Sequence, residues 1–170
     1  MCGICGYVGK NNGVGEVVGG LKILEYRGYD SCGVAYLDNE KINLIKTVGG
    51  VDNLSDLSKD INANIVIGHT RWATHGGVNE KNAHPHISSS KKLAMVHNGI
   101  IENYKELKEQ LDVNFYSETD SEVFLNLIDS EEGDLIDKTI KASKKVQGTF
   151  AIIVLSESGE VVLGKRESPL

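Results

Sequence analysis

The stretch TFAIIVLSESGEVVLGK, residues 149–165, holds two apolar runs around a polar SESG connection. Each run is too short for a helix and rich in β-branched residues, and the serines and glycine between them are turn formers. The segment therefore reads as a β-hairpin. Another hairpin is written earlier, where CGVAYL (32–37) and KINLIKTV (41–48) flank Asp38-Asn39-Glu40. ICGYVGK (4–10) alternates like a strand, and NIVIGHT (64–70) and KLAMVH (92–97) are apolar runs suited to buried strands.

Between these strands the apolar period changes from two to near four. VGEVVGGLKILEY (14–26) carries Val14, Val17, Val18, Leu21 and Leu24 at helical spacing, weakened by Gly19 and Gly20. IIENYKELKEQL (100–111) places Ile100, Tyr104, Leu107 and Leu111 on one stripe. SEVFLNLI (121–128) follows the capping-box pattern Thr119…Glu122, and DLIDKTIKASKKVQG (134–148) is a further helix closed by Gly148. Hairpins and helices in mixed order predict an α+β layered sandwich with largely antiparallel sheets.

At 170 residues, with 40% hydrophobic and 25% charged residues, the chain has the balance of one globular domain. Its net charge of −6 and lack of a basic block argue against a nucleic-acid partner. The N-terminus has no charged region followed by an apolar one, and no apolar run approaches membrane-spanning length. Three cysteines (Cys2, Cys5, Cys32) are too few and too odd in number for a disulfide scaffold, which fits a reduced, cytoplasmic setting.

Chemistry concentrates in YRGYDSCG (26–33), GHTRWATHGG (68–77), HNGIIEN (97–103) and SETDSE (117–122), each at the end of a predicted element. Asn98-Gly99 is a hairpin signal, but the helical stripe from Ile100 onward suggests a strand-to-helix handover instead. There a backbone N–H of Gly99 and the carboxamide of Asn98 could point at one oxygen, as an oxyanion hole requires. In HTRWATHG, Arg71 offers a planar fork for a carboxylate, Trp72 a flat wall, and Thr74 and His75 two hydrogen-bonding tips. Asp120 reads first as a helix cap, and alternatively as a partner for a ligand ammonium. If Arg71 and Asp120 face one pocket, the ligand is an amino acid.

All five histidines (His69, His75, His84, His86, His97) fall within residues 69–97. Their spacings fit neither a C2H2 finger nor HExxH, and the Cys2–Cys5 pair has no second CxxC, so a zinc site is disfavoured. HPH (84–86) holds two imidazoles apart on a proline-stiffened stretch, equally suited to packing or binding. A redox CxxC normally follows a strand and opens a helix, whereas this one starts the chain. Cys2 has another use. Once Met1 is removed, its thiol and its α-amine, groups that ordinarily titrate at about 8.5 and about 7.7–8.0, supply a nucleophile and a proton acceptor in one residue.

With Cys2-Gly-Ile, YRGYDS, HTRWATHG, NAHPH, VHNGIIENY and SETDSE on the page, the chain resembles the class II glutamine amidotransferases, which are N-terminal-nucleophile hydrolases. Within them it looks like the glutaminase domains of the glutamine–fructose-6-phosphate aminotransferases (isomerizing). Amidophosphoribosyltransferases carry tyrosine and serine where this chain has Trp72 and Ala73, and asparagine synthetases diverge further. The resemblance implies a four-layer αββα sandwich. It also implies Cys2 as nucleophile, Asn98 and Gly99 as the oxyanion hole, Arg71 on the α-carboxylate and Asp120 on the α-amino group of L-glutamine. Trp72, Thr74, His75 and Gly76 would line or close the pocket, with Arg27 supporting the nucleophile and no metal or organic cofactor needed.

In that family the domain continues past Ser168-Pro169-Leu170 into a sugar-isomerase region. Residues 1–170 are therefore expected to be a glutamine amidotransferase domain short of its last elements and poorly active. The acceptor site for fructose 6-phosphate would lie in the missing region, and the full-length form could be a homodimer. Two other readings stay open: an amidotransferase with a different ammonia acceptor, and a non-catalytic glutamine-binding paralogue.

Overall fold

Strand β1 (Gly3–Val8) leads into helix α1 (Val14–Leu24), whose buried side chains Val14, Val17, Val18 and Leu21 form the stripe the spacing predicts. A short 3-10 turn, Glu25–Arg27, then delivers the chain to β2 (Ser31–Asp38). β2 pairs antiparallel with β3 (Lys41–Val48) around Asn39 and Glu40, whose φ angles of 48° and 60° make the two-residue turn that suits the strand twist. Helix α2 (Val51–Ser58) and β4 (Ile65–Arg71) complete the first half. The second half runs β5 (His86–Ile87), β6 (Leu93–Ile101), α3 (Tyr104–Glu109), α4 (Asp120–Ser130), α5 (Leu135–Lys145), β7 (Gly148–Ser156) and β8 (Val161–Arg166). This computed structural model describes residues 2–72 and 77–168.

The strands form two four-stranded sheets, ordered β1-β4-β2-β3 and β5-β6-β7-β8, with every pairing antiparallel. Alternation along each strand sorts side chains into three cores. On the outer face of the first sheet, Cys32, Val34 and Val66 pack with Val17 and Leu21 of α1 and Leu54 of α2. Between the sheets lie Ala35, Ile67, Ala94, Val96, Ile153 and Leu155. Beneath the second sheet, Met95, Phe150 and Ile152 meet Phe124, Leu125 and Ile128 of α4, with Leu135 and Ala142 of α5 alongside. Helix, sheet, sheet, helix is the four-layer αββα order expected.

Several local expectations are corrected. The chain does not turn helical at Ile100: β6 continues through Asn98 and Gly99 to Ile101, paired residue by residue with β7, and α3 begins only at Tyr104. Pairing with a long neighbouring strand overrides the helical stripe, and Ile100 is left largely exposed while Leu107 is buried. Gly148 does not close α5, which ends at Lys145; it opens β7 at φ 106°. The helix cap at α4 is Thr119, whose hydroxyl accepts from Glu122 N, so Asp120 is the first helical residue. The box is not reciprocal, since the Glu122 carboxylate instead accepts from Tyr116 N and Ser117 N.

Candidate active site

The antiparallel registers bring five chain segments to one end of the sandwich. Gly3 sits opposite Thr70 and Ser31 opposite Arg71, so the start of β1, the start of β2 and the end of β4 share an edge. Thr70 anchors the start of β1, its hydroxyl accepting from Gly3 N at 3.0 Å. Asn98 and Gly99, near the end of β6, face them from the other sheet, and the N-terminus of α4 closes the side. A cleft of about 630 Å³ opens there, with Cys2, Arg27, Arg71, Trp72, Asn98, Gly99 and Asp120 in its wall.

Cys2 is half-buried, and Trp72 N–H donates to its sulfur at 3.1 Å. A backbone donor is thus already directed at the atom that would carry negative charge as a thiolate. The Asn98 amide nitrogen donates to the Cys2 carbonyl at 3.3 Å, bridging the two sheets at the nucleophile. Gly99 has φ 136°, and a Cβ there would lie 2.0 Å from the Thr149 carbonyl oxygen, so this position requires glycine on both counts.

Arg71 is buried on β4, where its Nη1 donates to the Gly77 carbonyl at 3.3 Å and lies 3.8 Å from Asp30 Oδ1. The Asp30 main chain is tied back by its own N–H to the Arg71 carbonyl at 2.8 Å. Asp120 is also buried, and its Oδ2 accepts from Ile101 N at 2.7 Å, fixing the carboxylate at the helix N-terminus where negative charge is favoured. Trp72 remains about half exposed and lays its indole on Gly28, where a Cβ would come within 2.3 Å of the ring. Thr74, His75 and Gly76, also singled out from the sequence, lie outside the described residues.

Four of the five histidines lie among the described residues, and His69, His86 and His97 gather around His84. His84 and His86 are not held apart: their ring centroids are 4.5 Å from each other across the cis His84–Pro85 peptide bond. His69 stacks on His84 at 4.3 Å, and His97 lies 6.5 Å from it. Burial pushes His84 and His86 well below the usual imidazole range and His69 to about 3, and it lowers His97 as well, which favours neutral rings at ordinary pH. For His97 the Asp120 carboxylate opposes that shift. Among the described residues no cluster of three or more His, Cys, Asp or Glu side chains is arranged to hold a metal ion.

Three of these imidazoles instead meet groups beside the proposed site. His69 Nε2 is 2.9 Å from Asn98 Oδ1, His86 Nε2 is 3.0 Å from the Thr119 hydroxyl, and His97 Nδ1 is 2.8 Å from the Ser121 hydroxyl, so Asp120 is flanked on both sides. Sequence reasoning gave them no such part. The signal was present for His69, since Ile67, His69 and Arg71 alternate onto the inner face of one strand.

The same alternation parts the two CxxC thiols. Cys5 packs with the cluster beneath α1, and its Sγ would be 2.6 Å from a Cβ on Gly20. Cys32 is fully buried.

Comparison with known proteins gives a consistent picture. The profile of the glutamine amidotransferase domain family matches residues 49–168. The glutamine–fructose-6-phosphate aminotransferase (isomerizing) of Clostridium acetobutylicum is 49% identical over 178 aligned residues, covering 100% of this chain and 29% of the relative. The enzyme of the same name from Thermotoga maritima is 46% identical, again over 100% of this chain and 29% of the relative. The chain thus spans less than a third of the length of the curated relatives it matches. Among solved structures, the glutamine phosphoribosylpyrophosphate amidotransferase of Bacillus subtilis superposes with a TM-score of 0.83 at 25% identity, over 97% of this chain and 37% of that one. A structure described as the allosteric regulatory enzyme of purine biosynthesis superposes at 0.85 with 26% identity, over the same shares.

Proposed function

Because the chain belongs to the glutamine amidotransferase domain family, we propose that its cleft hydrolyses the side-chain amide of L-glutamine, with Cys2 as the nucleophile. The observation that carries this reading is the convergence of Cys2, Arg71, Asn98, Gly99 and Asp120 on one cleft. Removal of Met1 converts the Cys2 nitrogen from an amide into an amine able to take a proton. That amine accepts the thiol proton, and the sulfur attacks the amide carbon of glutamine. The carbonyl oxygen becomes an oxyanion held by the Asn98 amide nitrogen and the Gly99 N–H. Collapse expels ammonia, protonated by the same amine, and leaves a γ-glutamyl thioester. Water, deprotonated by the amine, then releases glutamate and the thiol.

Substrate orientation falls to two buried charges of opposite sign. Arg71 presents a planar set of N–H donors to the α-carboxylate. Asp120 uses one oxygen on Ile101 N, which leaves the other for the α-ammonium. Trp72 and Arg27 line the pocket, Arg27 as a supporting cation, and the family resemblance assigns Thr74, His75 and Gly76 to substrate binding beside them. The steps need no group beyond these side chains, the terminal amine and water.

The curated relatives' names extend the reading to the acceptor. We infer that residues 1–170 act as the glutaminase domain of a longer protein in which the ammonia goes to fructose 6-phosphate, giving glucosamine 6-phosphate. Identities of 46–49% to relatives so named, against 25–26% to the purine enzymes, favour a hexose phosphate over a phosphoribosyl acceptor. Among the described residues no helix is long and apolar enough to cross a membrane; the cytoplasmic setting is proposed from cysteine usage alone.

The test is glutamate release by Met1-processed protein beside Cys2→Ala, with intact mass establishing the processed form. Turnover should vanish in Cys2→Ala and in protein that retains Met1. Equal glutamate release from wild type and Cys2→Ala would overturn the assignment.

A further inference from the structure

Asn98 can serve an oxyanion only if its amide nitrogen, and not its oxygen, faces Cys2. A carboxamide is nearly symmetric in shape, so a neighbouring group must set that choice. We propose that His69 is the residue that does so: its Nε2–H donates to Asn98 Oδ1 and thereby turns Nδ2 toward the nucleophile. This rests on the proposed role of Asn98 as an oxyanion donor.

The geometry leaves little freedom. His69 Nε2 lies 2.9 Å from Asn98 Oδ1 and 3.1 Å from the His97 carbonyl oxygen. A backbone carbonyl can only accept, so a proton must sit on Nε2 if that contact is a hydrogen bond. The same proton then meets the side-chain oxygen of Asn98. A flipped carboxamide would set an NH₂ against an N–H, two donors facing each other beside a fully buried ring. His69 is fully buried, and its Nδ1 has no hydrogen-bond partner among the described residues, which agrees with one neutral tautomer protonated on Nε2. The His84 ring stacked at 4.3 Å restrains the imidazole from turning over.

His69 reaches Asn98 from the opposite sheet. β4 contributes Ile67, His69 and Arg71 to the inner layer, and β6 contributes Ala94, Val96 and Asn98. The hydrogen bond therefore ties the strand that carries Arg71 to the strand that carries the oxyanion donor. His69 touches no reacting atom in this arrangement and acts through Asn98.

The experiment compares His69→Leu, His69→Gln and His69→Asn in the Met1-processed chain, with Asn98→Ala and the His69→Leu/Asn98→Ala double variant. Loss of an oxyanion donor typically lowers kcat by about 100- to 1000-fold. His69→Leu should lower kcat by at least about 10-fold and change KM for glutamine less than about threefold. Glutamine places an amide nitrogen near the Nε2 position, so His69→Gln should regain most of that kcat, whereas the shorter asparagine should not. The double variant should be no slower than Asn98→Ala alone, because the one residue works only through the other. Nitrogen NMR of His69 should report the Nε2–H tautomer unchanged between pH 8 and 5.5.

His69→Leu at full kcat, or Gln and Asn equally slow, would overturn the positioning role, as would losses that multiply in the double variant. If His69→Leu does not fold, the Gln–Asn comparison decides alone. Full turnover by Asn98→Ala would instead remove the oxyanion reading itself, so the two failures are distinguishable.

Discussion

Arg71 shows what a single side chain must satisfy here. It is buried, its Nη1 already meets the Gly77 carbonyl, and it needs further N–H groups for a substrate carboxylate. Lysine would keep the charge but lose the planar fork. We therefore expect Arg71→Lys to raise KM for glutamine by about 10- to 100-fold, the equivalent of about 1.5–3 kcal/mol for a hydrogen bond to a charged group, with a smaller change in kcat. Steady-state kinetics would check this; an unchanged KM would place the carboxylate elsewhere. At this scale the sequence was informative about residue type. Arg71, Asp120, Asn98 and Gly99 stood out because together they offer a fork of donors, a carboxylate and an oxyanion pair at element ends, although Asp120 and Asn98-Gly99 also fit the ordinary cap and turn roles. For His69 the alternation along β4 marked the inner face but not the partner Asn98, and for His86 and His97 the sequence offered nothing, because their partners on or beside α4 depend on packing that only the assembled sheets define. It also could not say how Asn98-Gly99 is built, since φ 136° within a continuing strand follows from the pairing with β7.

The elements differ in how far local sequence determined them. The β2–β3 and β7–β8 hairpins were legible because turn residues bracket β-branched runs, and α1 because its valines recur on one face. The helix expected from Ile100 was not, because β6 gains more by pairing along its whole length than a short helical stripe offers. Helix α4 illustrates how an element serves the site. Its cap hydroxyl on Thr119 accepts from Glu122 N at 3.3 Å and lies 3.0 Å from His86 Nε2, and the next residue is Asp120. Thr119→Ala should cost about 1–2 kcal/mol through the lost cap and the stranded imidazole. A urea midpoint would read the stability loss, and a raised KM for glutamine would report the disturbed carboxylate. A variant as stable as wild type would mean that the cap is dispensable.

Over the whole molecule, a layered α+β sandwich with antiparallel sheets was readable from the mixture of hairpins and amphipathic helices, and its four-layer αββα order only from the family resemblance. The pairing order β1-β4-β2-β3 was not readable, because it depends on long-range contacts. The same assembly buries four neutral imidazoles, and this sets a pH limit. Their folded pKa values lie below the unfolded value of about 6.5, so the unfolded chain takes up protons that the native chain refuses. Stability should be full above about pH 7 and fall as pH drops below about 6.5, by about 1 kcal/mol per histidine one unit lower, with Asp120 moderating the share of His97. Urea midpoints that stay flat from pH 7.5 to 5.5 would contradict this. The layering has a further consequence for chemical labelling. Burial raises the Cys5 thiol and pushes Cys32 up to about 12, which leaves the sulfur at the cleft mouth as the outlet for a soft electrophile. A haloacetamide or an electrophilic glutamine mimic should add once per native chain, at Cys2, and three times only after denaturation. Mass spectrometry would then count active centres directly, turning the αββα sandwich into its own protecting group.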